Sequence, residues 1–240
     1  AWALVLAQCS GRDDVVFGSV LSGRLQGTAG ADRVLGMFIN TLPLRVRIND
    51  ASVAAVVERT HRELIELLRH EQAALALAQR CSAVPPSTPL FSAVLNFRHS
   101  ALGEPQRDTG IELIASHERT NYPFTVSVDD LGKGFALTAQ TEPRIGSARL
   151  AAYLQSALRA LLAALETAPG TPLLELSVLP DDERRALLEG FNAVQRPYAR
   201  TQTIQQLIAA QVQKTPQAIA VVHEGQHLSY AELDARANQL

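Results

Sequence analysis

Residues 14–24 read DVVFGSVLSGR, with valine, phenylalanine or leucine at both parities of an extended run. A strand of that kind offers no face to water, so it belongs in a sheet covered on both sides. The segment therefore argues for a layered α/β architecture. The next apolar run is stranger. GMFINTLPLR (36–45) also reads as strand, within a longer expected strand over 34–48, yet Asn40 and Thr41 sit in its middle. Leaving such an amide and hydroxyl buried and unpaired costs roughly 1–3 kcal/mol each. Either the fold satisfies them, tying a strand end to a loop, or they face a cavity where something else meets them.

The rest of the chain can supply the layers. At 240 residues it is long enough for one large domain or two small ones, and 47% hydrophobic against 19% charged residues suffices for a core. A formal net charge of −2, with no concentrated basic face, argues against nucleic acid as partner. Cys9 and Cys81 are too few and too far apart for a disulfide framework or a thiolate metal site, which fits a reducing compartment. The opening AWALVLAQCS lacks the basic leader and the cleavage site of a signal peptide. No apolar run approaches the ~20 residues of a membrane span. Both termini fall inside structured-looking segments, the pattern expected of a piece of a longer chain.

Residues 2–9 read as a helix stopped by Ser10-Gly11, and 25–32 as a Gly/Ala/Thr loop. Asp50 or Ser52 can cap a helix striped by Val53, Val56, Val57, Leu64, Leu67 and Leu68, with a second helical piece over 71–80. Three strand signals follow. Residues 90–98 alternate Phe91, Ala93, Leu95 and Phe97, 111–118 form a weaker strand, and 123–141 form a hairpin. In that hairpin Phe124, Val126 and Val128 are answered by Phe135, Leu137 and Ala139. Ser147 is placed to cap a helix carrying Leu150, Tyr153, Leu154, Ala157, Leu158, Leu161, Leu162 and Leu165 inward, ended by Pro169-Gly170. From 171 short apolar anchors alternate with proline and charge. From 202 a new pattern starts: a helix, a proline break, a strand over 218–223, a turn, and a helix begun by Ser229.

Four stretches share one resemblance. RVLGMFINTLPLRV resembles the Gly-x-Phe-(Val/Ile)-Asn-Thr-x-x-x-Arg signature in the C-terminal half of nonribosomal peptide synthetase condensation domains, placing Gly36, Phe38, Asn40, Thr41 and Arg45 on it. DVVFGSVLSGR is similar to the strand preceding that signature. RTNYPFTVSV resembles the Arg-x-x-(x)-Asn-x-Pro-Leu element near the domain's end, through Arg119, Asn121 and Pro123. LSYAELDARANQL (228–240) resembles the first core motif of an adenylation domain. The resemblance implies the C-terminal lobe of a chloramphenicol-acetyltransferase-like condensation domain over 1–176, a mixed sheet with helices. A linker over 177–201 and the truncated start of an adenylation domain over 202–240 follow. One departure stands out: where the family has His-Gln-Asp-x-Pro-Phe-Glu, this chain reads RHEQAALALAQR, so no role carries over to His70, Glu71 or Gln72.

Chemistry follows from the same source. Condensation is acyl transfer, in which an amine on one carrier-bound aminoacyl thioester attacks the carbonyl of another, through a site that orients the amine and stabilises an oxyanion. In the family a His-His-x-x-x-Asp-Gly motif on the N-terminal lobe supplies the key histidine. None of His61, His70, His99, His117, His223 and His227 adjoins another histidine, so the catalytic residue is expected upstream and this stretch alone is expected to be inactive. Asn40 and Thr41 are the substrate-tunnel candidates. Gly36, Phe38, Arg45, Arg119, Asn121 and Pro123 are motif residues of structural kind, Arg45 as a strand-end charge and the last three as turn formers. The loop 25–32 is expected to reach the other lobe and close the tunnel floor.

Cofactors implied by the resemblance are phosphopantetheine on partner carrier domains, and ATP with Mg for a complete adenylation domain, with none bound directly here. The implied partners are upstream and downstream peptidyl carrier domains and the domain's own N-terminal lobe, without nucleic acid or membrane, in the cytoplasm. A condensation/epimerisation subtype stays open. So do two rivals, an epimerisation domain of the same fold and a non-catalytic condensation-like recruitment domain. His223 and His227 in HEGQH read as a turn between strand and helix and not as metal ligands. Gly132-Lys133-Gly134 reads as a hairpin turn and not as a phosphate loop.

Overall fold

A computed structural model describes residues 1–24, 30, 33–99, 114, 118–194 and 201–239. The loop expected at 25–32 and the strand expected at 111–118 fall almost wholly outside the described residues. Contacts divide the chain into two units, Ala1–Ala186 and Leu187–Leu240.

The first unit is a five-stranded mixed sheet with helices. It opens on α1 (Trp2–Ser10), which ends where Gly11 turns to φ 67, a left-handed conformation that glycine adopts without a Cβ clash. The strands are β1 (Asp14–Leu21), β2 (Asn40–Arg47), β3 (Ala93–His99), β4 (Phe124–Asp130) and β5 (Phe135–Thr141). Their order is β2-β1-β3-β4-β5. β1 pairs β2 and β4 pairs β5 antiparallel, while β3 runs parallel to both of its neighbours.

α2 (Val53–Leu68) is capped by Ser52, whose hydroxyl accepts from the Ala55 amide at 3.3 Å, so the cap falls on Ser52 and not Asp50. α3 (Leu75–Cys81) follows after a turn. α4 (Ser147–Thr167) begins one residue earlier than a Ser147 cap requires. The Leu150 amide bonds the Gly146 carbonyl, so the capping position belongs to Gly146 and Ser147 is already helical. One buried cluster joins Leu4 and Val5 of α1, Phe17 of β1, Leu44 and Val46 of β2, Val53 and Val56 of α2, Ala93 of β3, Val126 of β4, and Leu154 and Ala157 of α4. Every strand residue in that set has one parity, so α1, α2 and α4 cover a single face of the sheet.

That arrangement corrects several expectations. β1 is fully covered on one face only: Val15, Phe17, Ser19 and Leu21 are buried, whereas Val16 and Val20 are half-buried. Of its other face only Gly18 is closed off, beneath the ring of Phe91. The strand expected from residue 34 starts at Asn40, and Leu35 and Met37 before it are 98% and 94% exposed. Arg24 organises this stretch instead, donating to the carbonyls of Val34 at 2.8 Å and Gly36 at 3.2 Å. Phe97 and Phe135, expected inward, are exposed and pack on each other, with ring centroids 6.4 Å apart. Leu158 and Leu162 also face outward, because the core takes Leu150, Leu154, Ala157 and Ala164 of α4 with Tyr153, Leu161 and Leu165 packed against it.

The proline-rich stretch after α4 is tied to the first unit. Leu173 and Val178 are buried in its core, and the Gln8 side chain donates to the carbonyls of Leu174 and Leu176. A short helix, α5 (Asp181–Arg185), is held to α4 through Glu183, which accepts from Tyr153 Oη at 2.7 Å and pairs with Arg149. Both bonds hold the Glu183 carboxyl below its usual range.

The second unit holds α6 (Ile204–Lys214), β6 (Ile219–His223), β7 (Gln226–Ser229) and α7 (Tyr230–Ala237). Capping boxes start both helices, Thr203 with Gln206 and Ser229 with Glu232. HEGQH is a β-hairpin, a strand more than expected. Glu224 and Gly225 both take positive φ (47 and 78), the geometry of a two-residue hairpin turn, so His223 and His227 lie in paired strands.

Candidate functional site

Asn40 opens β2, an edge strand, opposite Leu21 of β1. Its side chain has the same parity as Leu42, Leu44 and Val46, and so points to the helix side. All its hydrogen-bonding groups are engaged there. Nδ2 donates to the backbone carbonyls of Glu71 at 2.9 Å and Ala73 at 2.7 Å, and Oδ1 accepts from the Thr41 amide at 2.9 Å. The carboxamide thus pins the turn between α2 and α3 to the start of β2. Beside it, Gln72 donates to the carbonyl of Gly23 just past β1, and Glu71 is buried. The stretch that departs from the family pattern is therefore part of the packing around Asn40.

Thr41 has the opposite parity. A Cβ built on Gly18 would lie 2.8 Å from the Thr41 methyl and closer still to Phe91 Cε2, so both groups lie over the bare glycine on the face away from α1, α2 and α4. Tyr122 stacks on Phe91 at 5.6 Å between ring centroids. The two neighbours in the INT run thus serve different faces of the sheet.

Gly36 and Phe38 belong to the stretch wrapped around Arg24, whose guanidinium sits 4.4 Å from the Phe38 ring centroid. Gly36 has φ 155, and its neighbour in space is the Phe38 ring. Arg45 makes a bidentate pair with Asp14 across β1 and β2, at 2.9 Å (Nε to Oδ1) and 2.6 Å (Nη2 to Oδ2). Hydrogen bonding to Arg45 holds the Asp14 carboxyl below its ordinary value against a smaller desolvation cost. Arg45 lines a groove of about 600 Å³ between β2 and α2, together with Arg59, Glu63, Glu66 and His70.

Arg119, Asn121 and Pro123 lead into β4. Arg119 and Asn121 are exposed, the Tyr122 amide donates to Thr120 Oγ1 at 3.2 Å, and the Pro123 carbonyl accepts from the Glu142 amide. This is a turn whose product is the placement of Tyr122. In the sheet β1 and β3 separate it from Asn40 and Thr41.

A polar row went unnoticed in the sequence. Asn96, Ser127 and Thr138 are in register across β3, β4 and β5, on the face away from the helices. Continuing the Gly18–Val94 pairing by two residues brings Val20 beside Asn96, and Val20 pairs with Thr41. The row therefore crosses all five strands as Thr41, Val20, Asn96, Ser127, Thr138. Its signal was available, because Asn96, Ser127 and Thr138 occupy the alternate positions of the very strands recognised by their apolar parity. The adjoining row is charged but internally paired: Arg98 Nε and Nη2 donate to Asp129 at 2.6 and 3.0 Å and hold its carboxyl below the usual range. Among the described residues no cluster of His, Cys, Asp and Glu can hold a metal ion, and no helix is long and apolar enough to cross a membrane.

Residues 1–188 match the condensation-domain family. The whole chain is 46% identical to a stretch covering 4% of malpibaldin synthetase from Mortierella alpina, and 30% identical to 4% of bacitracin synthase 3 from Bacillus licheniformis. Among solved structures, a four-domain nonribosomal peptide synthetase bound to AMP and glycine matches 96% of the chain with a TM-score of 0.67 at 17% identity, over 19% of its own length. The starter condensation domain of rhizomide synthetase matches 74% of the chain at a TM-score of 0.55 and 19% identity, over 41% of its length. The chain belongs to the condensation-domain family of nonribosomal peptide synthetases, and its first unit has that family's mixed-sheet fold. It spans only a few per cent of the length of the curated relatives it matches.

Proposed function

We propose that this chain is the C-terminal part of a condensation domain that joins carrier-tethered aminoacyl or peptidyl groups through a peptide bond in a nonribosomal peptide synthetase. The observation that carries the reading is the match of residues 1–188 to the family, with similarity to synthetases over the whole chain. The reaction makes an amide from a thioester and an amine and releases a thiol on the donor carrier. It needs a group to manage the amine proton, and no described residue here is arranged for that. We assign that group to the N-terminal lobe.

The second unit we read as the start of an adenylation domain, which when complete would use ATP and Mg to activate an amino acid. Its support is the LSYAELDARANQL run placed on β7 and α7, and the similarity to synthetases that runs through residue 240. Phosphopantetheine belongs to the carrier domains on either side, and the cytoplasm is the compartment that fits two distant cysteines. The part of Asn40 in this reading is to position. It anchors the α2–α3 turn, while Thr41 presents itself to the opposite face.

The test is a full synthetase module with donor and acceptor carriers loaded in advance, read by dipeptide release. Peptide formation that stops when the upstream histidine motif is disabled supports the reading. A wild-type module that releases no dipeptide from loaded carriers overturns it.

A further inference from the structure

The geometry points to the row Thr41, Asn96, Ser127 and Thr138 as a hydrogen-bonding track for the uncharged amide backbone of the carrier-tethered substrate. It rests on the condensation reading above and names where that substrate would lie.

Sheet faces that meet only apolar layers are apolar, as the other face of these same strands demonstrates with Leu95, Val126 and Leu137. The row inverts that pattern at the same depth in the sheet. Ser127 is 7% exposed and Asn96 half-buried, yet the side chains of Asn96, Ser127 and Thr138 make no hydrogen bond with any described residue. Thr138, on the edge strand β5, is exposed and Asn96 half-buried, so the row is open to an occupant from outside the sheet. Here they form one line across neighbouring strands with their donors and acceptors uncommitted.

The chemistry of the row selects its occupant. Hydroxyl and carboxamide groups donate and accept, so they match amide N–H and C=O groups equally. The nearest charges, Arg98 and Asp129, satisfy each other in a bidentate pair, so an anionic ligand finds no free cation in them. Strands lie about 4.8 Å apart, so Asn96 to Thr138 spans about 10 Å, the length of roughly three extended residues. At the β2 end the Phe91 ring, lying over Gly18 and stacked on Tyr122, closes the row beside Thr41 with an apolar wall.

The experiment uses the full module with preloaded carriers and the variants Ser127→Ala and Thr138→Val, with carrier loading measured separately. Each loses a hydroxyl without adding bulk. The expected result is a roughly three- to tenfold loss in dipeptide formation per variant, with carrier loading and melting temperature as in wild type. Ser127→Thr should recover most of the loss, because it restores the hydroxyl. Wild-type rates in both alanine and valine variants would overturn the track while leaving the condensation reading intact. So would a loss that follows a lowered melting temperature and is not recovered by threonine. A wild-type module without activity would instead remove the reading on which the track rests.

Discussion

The two faces of the sheet are built from the same five strands and obey different rules. On the helix side every strand contributes to one cluster, and Phe17, Val46 and Val126 are at most 3% exposed. On the other side Val94, Thr125 and Ser127 are buried near the middle of the sheet, while Val16, Val20 and Asn96 are half-covered and Thr138 is exposed. The lesson is that burial by helices holds this fold together, whereas the opposite face is free to carry polar groups whose partners lie elsewhere. Asn40 and Thr41 condense the contrast into two neighbouring residues, one pinning helices to the sheet and the other looking away from them.

Four substitutions test that contrast. Phe17→Ala removes a buried ring from the helix-covered face and should cost about 3–5 kcal/mol, seen as a large drop in melting temperature of the parent protein. A small drop would mean the helix side does not dominate. Asn40→Ala deprives the Glu71 and Ala73 carbonyls of their donor and should cost about 1–3 kcal/mol. It should speed amide exchange most strongly over residues 69–74, and uniform exchange would break the proposed pin.

The ion pair on the edge of the sheet should contribute at neutral pH and fade in acid. The folded-state value of Asp14 is lowered by Arg45, so its contribution is present above the unfolded value of about 3.9. It fades as pH falls from there through the folded value. Asp14→Asn should therefore lower the melting temperature slightly at neutral pH, by a gap that closes as pH falls into acid, flattening the acid limb of the profile. An equal loss at all pH values would point to packing instead. Thr138→Val, on the open face, should alter stability by less than about 0.5 kcal/mol. A larger cost would show that the polar row supports the fold itself.

Much of this architecture was legible from periodicity. The α2 stripe of Val53, Val56, Leu64 and Leu67, with Val57 exposed beside it, and the 123–141 hairpin follow from alternation and spacing, and so does the stop at Gly11. What misled was apolar content without a partner to explain it. Leu35 and Met37 look like strand interior, but backbone pairing begins only where β2 meets Leu21. The β6–β7 hairpin was hidden because Glu224 is not a residue that advertises positive φ. The site was legible only as a motif. That Asn40 turns toward helices and Thr41 away follows from strand register, which a single strand does not reveal. The polar row was present in the letters, but it becomes a row only once β3, β4 and β5 are set side by side.

Gly23 carries a consequence for anyone recombining such chains. A Cβ there would collide with the Phe38 carbonyl oxygen, and its φ of +69 already excludes most side chains. The backbone leaving β1 and the backbone approaching β2 thus cross at touching distance, with no slack for a foreign side chain. A chimera spliced between these two positions inherits that crossing from two parents at once, so a junction outside residues 23–38 is the safer seam.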